Sequence, residues 1–161
     1  MKPVIHMYSK KLICDILEYI DNNINKDISI DELSNIFFFD KYYIMKLFKK
    51  ELNITIINYI NSMRIYNCLL DFKYDNQIIR IALNNGFNSL EYFSETFKNI
   101  IKVSPRVYKN FIKRNDKLSL EKIINIRISL SNLQYLKDRI TAYKNNKKPE
   151  KAQIKTLTIF K

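Results

Sequence analysis

The stretch IALNNGFNSLEYFSETFK, residues 81–98, contains Gly86, the only glycine among 161 residues. Apolar residues recur at helical spacing on both sides of it, which predicts two short helices separated by a turn of three or four residues. Helices joined so closely must cross steeply. The turn then commonly needs a residue with positive φ, which glycine adopts without a Cβ clash. We therefore predict a helix-turn-helix whose turn is formed by Asn85 and Gly86.

A similar pattern lies earlier in the chain, so the sequence contains an internal repeat of a helix pair. Phe87 falls 48 residues after Phe39, and at the same offset Gly86 falls on Phe38. The sequence leaves two possibilities open for this first turn. Either its geometry differs from that of the second turn, or Phe38 carries some backbone strain.

The helix that follows the first turn is informative because its two faces differ in chemistry. Ser29 and Glu32 form a predicted capping box in front of one short helix, and Asp40 is placed as the N-cap of the next. Three apolar residues recur on the inward face of this second helix: Ile44, Leu47 and Phe48. Its outward positions carry an aromatic ring, a thioether and two ammonium groups at spacings of i, i+3, i+4 and i+7: Tyr42, Met45, Lys46 and Lys49.

The other helices complete an all-α domain over residues 9–114. A flexible N-terminus of residues 1–8 is expected before a first helix that starts at Ser9. The two helix-turn-helix units are predicted at about 29–52 and 76–101, joined by a linker helix at about 55–72. Ser104 and Pro105 occupy the cap and first-turn positions of a last helix at about 104–113. One side of the linker helix is predicted to face inward: Ile57, Ile60, Arg64, Ile65, Cys68, Leu69 and Phe72.

Residues 115–161 form an extension of unknown role. The segment IINIRISL, residues 123–130, alternates apolar and polar residues as a strand does, and IKTLTIF, residues 154–160, is a second predicted strand. Between them SNLQYLKDRITAYK, residues 131–144, carries a helical stripe. A small α/β piece and the beginning of a larger domain are both compatible with this pattern.

The composition points to a polyanionic partner and away from enzymes. The formal net charge is +12 and the pI is about 9.6, which favours nucleic acid or an acidic membrane surface, although AT-rich codon usage would also raise the lysine content. His6 is the only histidine, and Cys14 and Cys68 lie in helical apolar patterns without metal-ligand spacing. We therefore expect no enzyme activity, no metal and no cofactor. Since no long apolar run or signal peptide is visible, we expect a cytoplasmic protein.

These motifs resemble the DNA-binding domain of the AraC/XylS family of bacterial transcription regulators, over roughly residues 9–113. Residues 81–108 match the family pattern IA-x-x-x-GF-x-x-x-x-YF-x-x-x-FK-x-x-x-G-x-SP-x-x-Y at nearly every fixed position. Residues 43–65, YIMKLFKKELNITIINYINSMRI, similarly resemble the first unit and the start of the linker. Four positions depart from the pattern, with Ser34 and Cys68 in place of alanine and Asn53 and Lys102 in place of glycine.

The resemblance implies sequence-specific binding of double-stranded DNA, regulation of transcription, and association with the nucleoid. It assigns base reading to outward residues of the two recognition helices: Tyr42, Met45, Lys46, Glu91, Tyr92, Ser94 and Glu95. The residues expected to contact phosphates surround them: Lys41, Lys49, Lys50, Ser89, Lys98, Ser104 and Arg106. A linker helix over residues 56–72 would be roughly 25 Å long. That length suits two recognition helices in successive major grooves, whose repeat is about 34 Å.

The second recognition helix is acidic where phosphates should lie, because Glu91 and Glu95 face outward. Glutamate can accept from cytosine N4 but repels the backbone, and Glu91 is alternatively placed to complete a capping box with Asn88. We predict that the first unit dominates affinity and base discrimination. The alternative is a protein-interaction module that keeps the fold but binds another regulator or RNA polymerase. A monomer or a weak dimer is expected, with no membrane partner.

Overall fold

The computed structural model describes residues 2–75, 77–114 and 117–145, with the side chains of residues 2–7 and of Arg114 excepted. These residues form α-helices and connecting turns, with no strand among them. The helices are α1 (Lys2–Asn22), α2 (Ile30–Phe37), α3 (Lys41–Leu52), α4 (Ile56–Asp71), α5 (Ile78–Asn84), α6 (Leu90–Ile101), α7 (Pro105–Arg114) and α8 (Leu120–Lys144). The chain divides into a first unit that ends at Asn61 and a second unit that begins at Ser62.

The first unit buries one apolar stripe of α1 against α2 and α3. The stripe comprises Leu12, Ile13, Ile16, Leu17 and Ile20, and Leu33, Ile44 and Phe48 of α2 and α3 are buried in the same unit. Two polar links connect the elements, because the Tyr19 hydroxyl donates to Glu32 and the Tyr59 hydroxyl donates to Asp21 Oδ1 at 2.7 Å. The predicted inward face of α3 is therefore confirmed.

The predicted start of the first helix at Ser9 is wrong, because α1 begins at Lys2. Residues 2–8, expected to be flexible, are helical. Pro3 is tolerated in a first helical turn, since the N–H that it lacks would have no partner inside the helix. No proline or glycine lies between Pro3 and Ser9. Nothing in this stretch therefore requires the helix to begin at Ser9.

An aromatic cluster forms the centre of the second unit. Phe72, Phe87, Phe93, Phe97 and Tyr108 are all essentially inaccessible to solvent. Their ring centroids lie 5.1 to 5.7 Å apart in tilted or edge-to-face arrangements, the geometry that aromatic pairs prefer. Phe72 directly follows α4 and Phe87 lies in the turn between α5 and α6, so the cluster lies in one core with buried residues of α4, α5, α6 and α7.

The predicted strand over residues 123–130 is wrong, because these residues belong to α8. Ile126, Leu130 and Leu133 are buried in the core of the second unit, while Ile124 and Ile128 are exposed. Buried positions therefore recur at steps of four and three, which is a helical period that continues into residues 131–144. The second predicted strand, residues 154–160, lies outside the described residues.

α8 is part of the second unit and not a separate extension. It packs against α6. It also meets α4, where the Tyr66 hydroxyl donates to Gln134 Oε1 at 3.3 Å and the Lys137 ammonium lies 4.2 Å from the centroid of the Tyr66 ring. A short apolar run is compatible with either a strand or a helix until one of its faces is buried against a partner surface. For α8 that surface is the core of the second unit.

One residue of the linker helix faces the wrong way in the sequence-based assignment. Ile57 is exposed, whereas Ile56 is buried together with Tyr59 and Ile60. The Thr55 hydroxyl accepts from the N–H of Asn58 at 3.2 Å, so α4 starts with the predicted cap. The inward stripe thus begins one residue earlier than expected.

A pair of alanine substitutions tests the helical register of α8. Ile126→Ala should lower the free energy of unfolding by about 2–4 kcal/mol, because it leaves a cavity in the core. Ile128→Ala should change it by less than about 0.5 kcal/mol, because Ile128 is 54% exposed. Urea denaturation measures both. Equal losses at the two positions would favour the strand alternation, in which residues 126 and 128 share one face.

Candidate nucleic-acid interface

Each turn contains a residue with positive φ, although the two residues differ. Gly86 has φ 81°, and Phe38 at the matching position has φ 58° and ψ 36°. The positive φ predicted for Gly86 is confirmed. The open question about the first turn is also answered, because Phe38 adopts the left-handed conformation despite its Cβ, which is unfavourable by roughly 1–2 kcal/mol.

Side-chain hydrogen bonds hold each turn in place. In the first turn the Ser34 hydroxyl donates to the carbonyl oxygen of Phe39 at 2.6 Å. In the second turn Asn85, which is buried, donates from Nδ2 to the Ile81 carbonyl at 2.9 Å and to Asp71 Oδ2 at 2.7 Å. The role of Asn85 was missed in the sequence, because asparagine before glycine also occurs in solvent-exposed turns.

The N-terminus of α3 is fixed by Asp40. Its Oδ1 accepts hydrogen bonds from the backbone N–H groups of Tyr42 at 2.9 Å and of Tyr43 at 3.1 Å. The capping box in front of α2 is present as predicted, with the Ser29 hydroxyl and the Glu32 carboxylate each accepting from the other residue's N–H. Both helices of the first unit therefore start at residues set by local chemistry.

The outward face of α3 presents the predicted base-reading side chains together. Tyr42 is 70% exposed and Met45 is 45% exposed, and Lys46 is also exposed. They lie on the helix face opposite the buried residues Ile44, Leu47 and Phe48. An aromatic ring, a thioether and an ammonium group are thus available to one partner at the same time.

Some of the lysines predicted to contact phosphates make contacts with other residues of the chain. Lys41 forms an ion pair with Asp31, with 3.0 Å between Nζ and Oδ1, and this contact raises the pKa of Lys41. Lys49 donates from Nζ to the carbonyl oxygen of Asn53 at 3.3 Å. Lys50 is exposed. Since exposed ion pairs are weak, Lys41 can exchange Asp31 for another anion at little energetic cost.

The second recognition helix, α6, begins at a different cap from the predicted one. The N-cap is Ser89, whose hydroxyl accepts from the N–H of Tyr92 at 3.1 Å and donates to Glu91 Oε2 at 3.0 Å. The predicted capping box of Asn88 with Glu91 is therefore wrong, because Glu91 lies at the second helical position. Hydrogen bonds from its own N–H and from Ser89 lower the pKa of Glu91.

The other predicted residues of the second unit also lie at the surface. Glu95, Tyr92 and Lys98 are exposed on α6, and Ser94 is half-buried. Ser104 caps α7, since its hydroxyl accepts from the N–H of Val107 at 3.3 Å, and Arg106 is exposed in the first turn. The exposed side chains of α6 are thus more acidic than those of α3.

Comparison with known proteins places this double helix-turn-helix among regulators. A family profile described as a helix-turn-helix domain matches residues 33–110. The HTH-type transcriptional regulator YbfP of Bacillus subtilis is 32% identical over 109 residues, covering 67% of this chain and 37% of YbfP. The TetD protein of transposon Tn10, from Escherichia coli, is 31% identical over 99 residues, covering 61% of this chain and 72% of TetD.

Solved structures share the fold. A transcriptional regulator of Chromobacterium violaceum, described as AraC-type, has a TM-score of 0.56 at 22% identity, over 65% of this chain and 95% of that one. The DNA-binding domain of AdpA, solved in complex with a target DNA, has a TM-score of 0.58 at 12% identity, over 65% and 97% of the two chains.

The chain belongs to the AraC/XylS family of transcription regulators. It corresponds to a little over a third of the length of YbfP. Within the described ranges, none of the helices combines the length and the apolarity needed to cross a bilayer. The same ranges contain no group of three or more residues suited to hold a metal ion.

Two departures from the AraC/XylS pattern keep the backbone that glycine would provide. Asn53 ends α3 with φ 52°, and Lys102 ends α6 with φ 72°. Both N–H groups bond to a carbonyl in the last turn, and Lys102 also donates from Nζ to the Asn99 carbonyl at 2.6 Å. A lysine can therefore end this helix because it satisfies a carbonyl that would otherwise lack a partner.

Removing the cap of α3 tests how far local chemistry fixes the recognition helix. Asp40→Ala should lower the free energy of unfolding by about 1 kcal/mol, because two N–H groups lose their acceptor. Asp40→Asn retains an acceptor and should lose much less. Chemical denaturation of both variants measures this. An equal loss for Asn and Ala would show that the two hydrogen bonds from Tyr42 and Tyr43 do not stabilise the helix.

Proposed function

We propose that this chain binds double-stranded DNA sequence-specifically to regulate transcription, and that α3 contributes most of the affinity and base discrimination. The observation that carries the proposal is the joint exposure of Tyr42, Met45 and Lys46 on one face of a helix whose other face is fixed in the core. A helix presented in this way fits the major groove of B-DNA.

The chemistry of the α3 face suits base edges. An ammonium group such as that of Lys46 can donate to O6 and N7 of guanine, and the apolar parts of Tyr42 and Met45 can pack on thymine methyl groups. Lys49, Lys50 and Lys41 lie on the same helix and can neutralise phosphates beside the groove. The solved AdpA domain with its target DNA has the same fold, which supports DNA as the partner.

The second unit has a supporting role in this proposal. Glu91 and Glu95 repel phosphates unless a cation lies between, so α6 contributes through Tyr92, Ser94 and Lys98 and through the capped start of α7 at Ser104 and Arg106. Backbone N–H groups at a helix start position a protein on phosphates without reading sequence. Ser89 joins them in this anchoring role.

Two recognition helices in one chain favour an asymmetric site that spans two successive major grooves. α4 has 16 residues, which corresponds to about 24 Å of helix. That length is of the order needed to connect helices bound about one DNA turn apart. A monomer or weak dimer would then suffice for recognition, and the chain would reside on the chromosome in the cytoplasm.

The alternative function is a protein-interaction module that binds another regulator or RNA polymerase. It is favoured by the acidic exposed face of α6 and by Ile79 and Leu83, which are exposed one helical turn apart on α5. Such a module needs the same fold but no preference among DNA sequences.

Lys46→Ala and Glu95→Ala measure the balance between the two recognition helices. Lys46→Ala should weaken binding to the selected duplex by roughly tenfold to a hundredfold, since a base contact is worth about 1–3 kcal/mol. Glu95→Ala should weaken it by less than about threefold, because a repulsive charge is removed along with any base contact. Fluorescence anisotropy gives both dissociation constants. Equal weakening by the two substitutions would contradict the dominance of α3.

Binding to selected and random duplexes at two salt concentrations separates DNA recognition from protein interaction. A specific regulator should prefer the selected duplex by about 10³-fold or more, with an affinity that falls as salt rises. An interaction module should bind both duplexes weakly and equally. The selected duplex comes from enrichment of a random oligonucleotide pool on the chain itself.

A further inference from the structure

The segment from Ile36 to Met45 concentrates exposed apolar side chains. Of the 17 large apolar residues that are exposed in the described part of the chain, six lie in these ten positions: Ile36, Phe38, Phe39, Tyr42, Tyr43 and Met45. The corresponding segment of the second unit, residues 84–94, exposes two, Leu90 and Tyr92. A local excess of exposed apolar groups marks a binding surface.

Phe38 is the member of this group that the fold explains least. It is 92% exposed, so its ring contributes almost nothing to the core. Its left-handed backbone is unfavourable for a residue with a Cβ, whereas Gly86 has a positive φ in the second turn without that penalty. Phe38 is therefore unfavourable in two ways: its backbone is left-handed, and its apolar ring is exposed to water. Strained residues of this kind concentrate at functional sites.

We propose that Phe38 is a DNA-contacting residue, with its ring packed against deoxyribose and thymine methyl groups at the edge of the groove that α3 enters. The inference rests on the proposed function. Phe38 lies two residues before the N-cap Asp40, and the first residues of a recognition helix are those that contact base edges. Thymine methyl groups and sugars are the apolar surfaces that DNA offers at this position.

A contact of this kind has a distinct dependence on salt. Lysine contacts to phosphates release counterions, so their loss reduces the slope of affinity against salt concentration. The ring of Phe38 carries no charge and releases none. Its removal should therefore weaken binding by the same factor at low and at high salt.

The test compares Phe38→Gly with three other variants on the selected duplex and on a random duplex of equal length. Phe38→Gly should raise Tm, because the turn becomes unstrained, and should weaken binding to the selected duplex about tenfold, because a buried aromatic contact is lost. Phe38→Ala should weaken binding similarly without raising Tm. Lys102→Gly removes the side chain of another residue with positive φ, at the end of α6. Any loss of affinity that it causes should shrink as salt rises, because it removes a charge and not an apolar contact. Ile128→Ala removes another exposed apolar side chain, on α8, and should leave binding unchanged.

The outcomes separate this inference from the proposed function. If the wild-type chain prefers the selected duplex and Phe38→Gly binds it equally well, the inference about Phe38 is wrong and the proposed function stands. A loss that shrinks as salt rises would also overturn it, because the change would then act through cation contacts. If the wild-type chain shows no preference between duplexes, the proposed function fails and this inference fails with it.

Discussion

A left-handed residue between two short helices is the constraint on which each recognition unit depends. Only a few residues separate α2 from α3 and α5 from α6. Each connection must therefore change the direction of the chain sharply, and each contains one residue with positive φ. The following N-caps, Asp40 and Ser89, then start the recognition helices within a few residues of that turn. The outward face of each recognition helix is therefore set by the backbone of its turn.

The positive φ is less favourable in the first turn, at Phe38, than in the second turn, at Gly86. Gly86 is buried and unstrained, and Phe87 after it enters the aromatic core. Phe38 is exposed and left-handed, and Phe39 after it stacks on Tyr43 with 5.5 Å between ring centroids, remaining partly in solvent. The second unit thus uses its turn to build a core, whereas the first unit leaves aromatic surface beside its recognition helix. Together with the lysines of α3 and the glutamates of α6, this difference gives the two units unequal chemistry on one repeated fold.

α8 lies beyond the repeated helix pairs but contributes to the core of the second unit. Ile126, Leu130 and Leu133 fill the second core, and Tyr66 of α4 is covered by Lys137 and bonded to Gln134. The family profile ends at residue 110, before this helix begins. The opposite side of α8 retains exposed apolar residues such as Ile124 and Ile128. Part of the core of the second unit therefore comes from a helix that lies outside the residues matched by the family profile.

The sequence by itself determined the elements whose signals are local. The capping box at Ser29, the caps at Asp40 and Ser104, the left-handed Gly86 and the inward face of α3 all follow from contacts within a few residues, so pattern alone was sufficient for them. The conformation of Phe38 and the helical state of residues 123–130 were decided by tertiary structure. The early start of α1 and the cap at Ser89 are local features that the sequence analysis assigned wrongly. The physical reason is that a short apolar run has no preferred face until a partner surface buries one. For α8 that surface is the core of the second unit, which includes residues of α4, α5, α6 and α7. The α4 residue Tyr66 bonds to α8 across a separation of 68 residues in the chain.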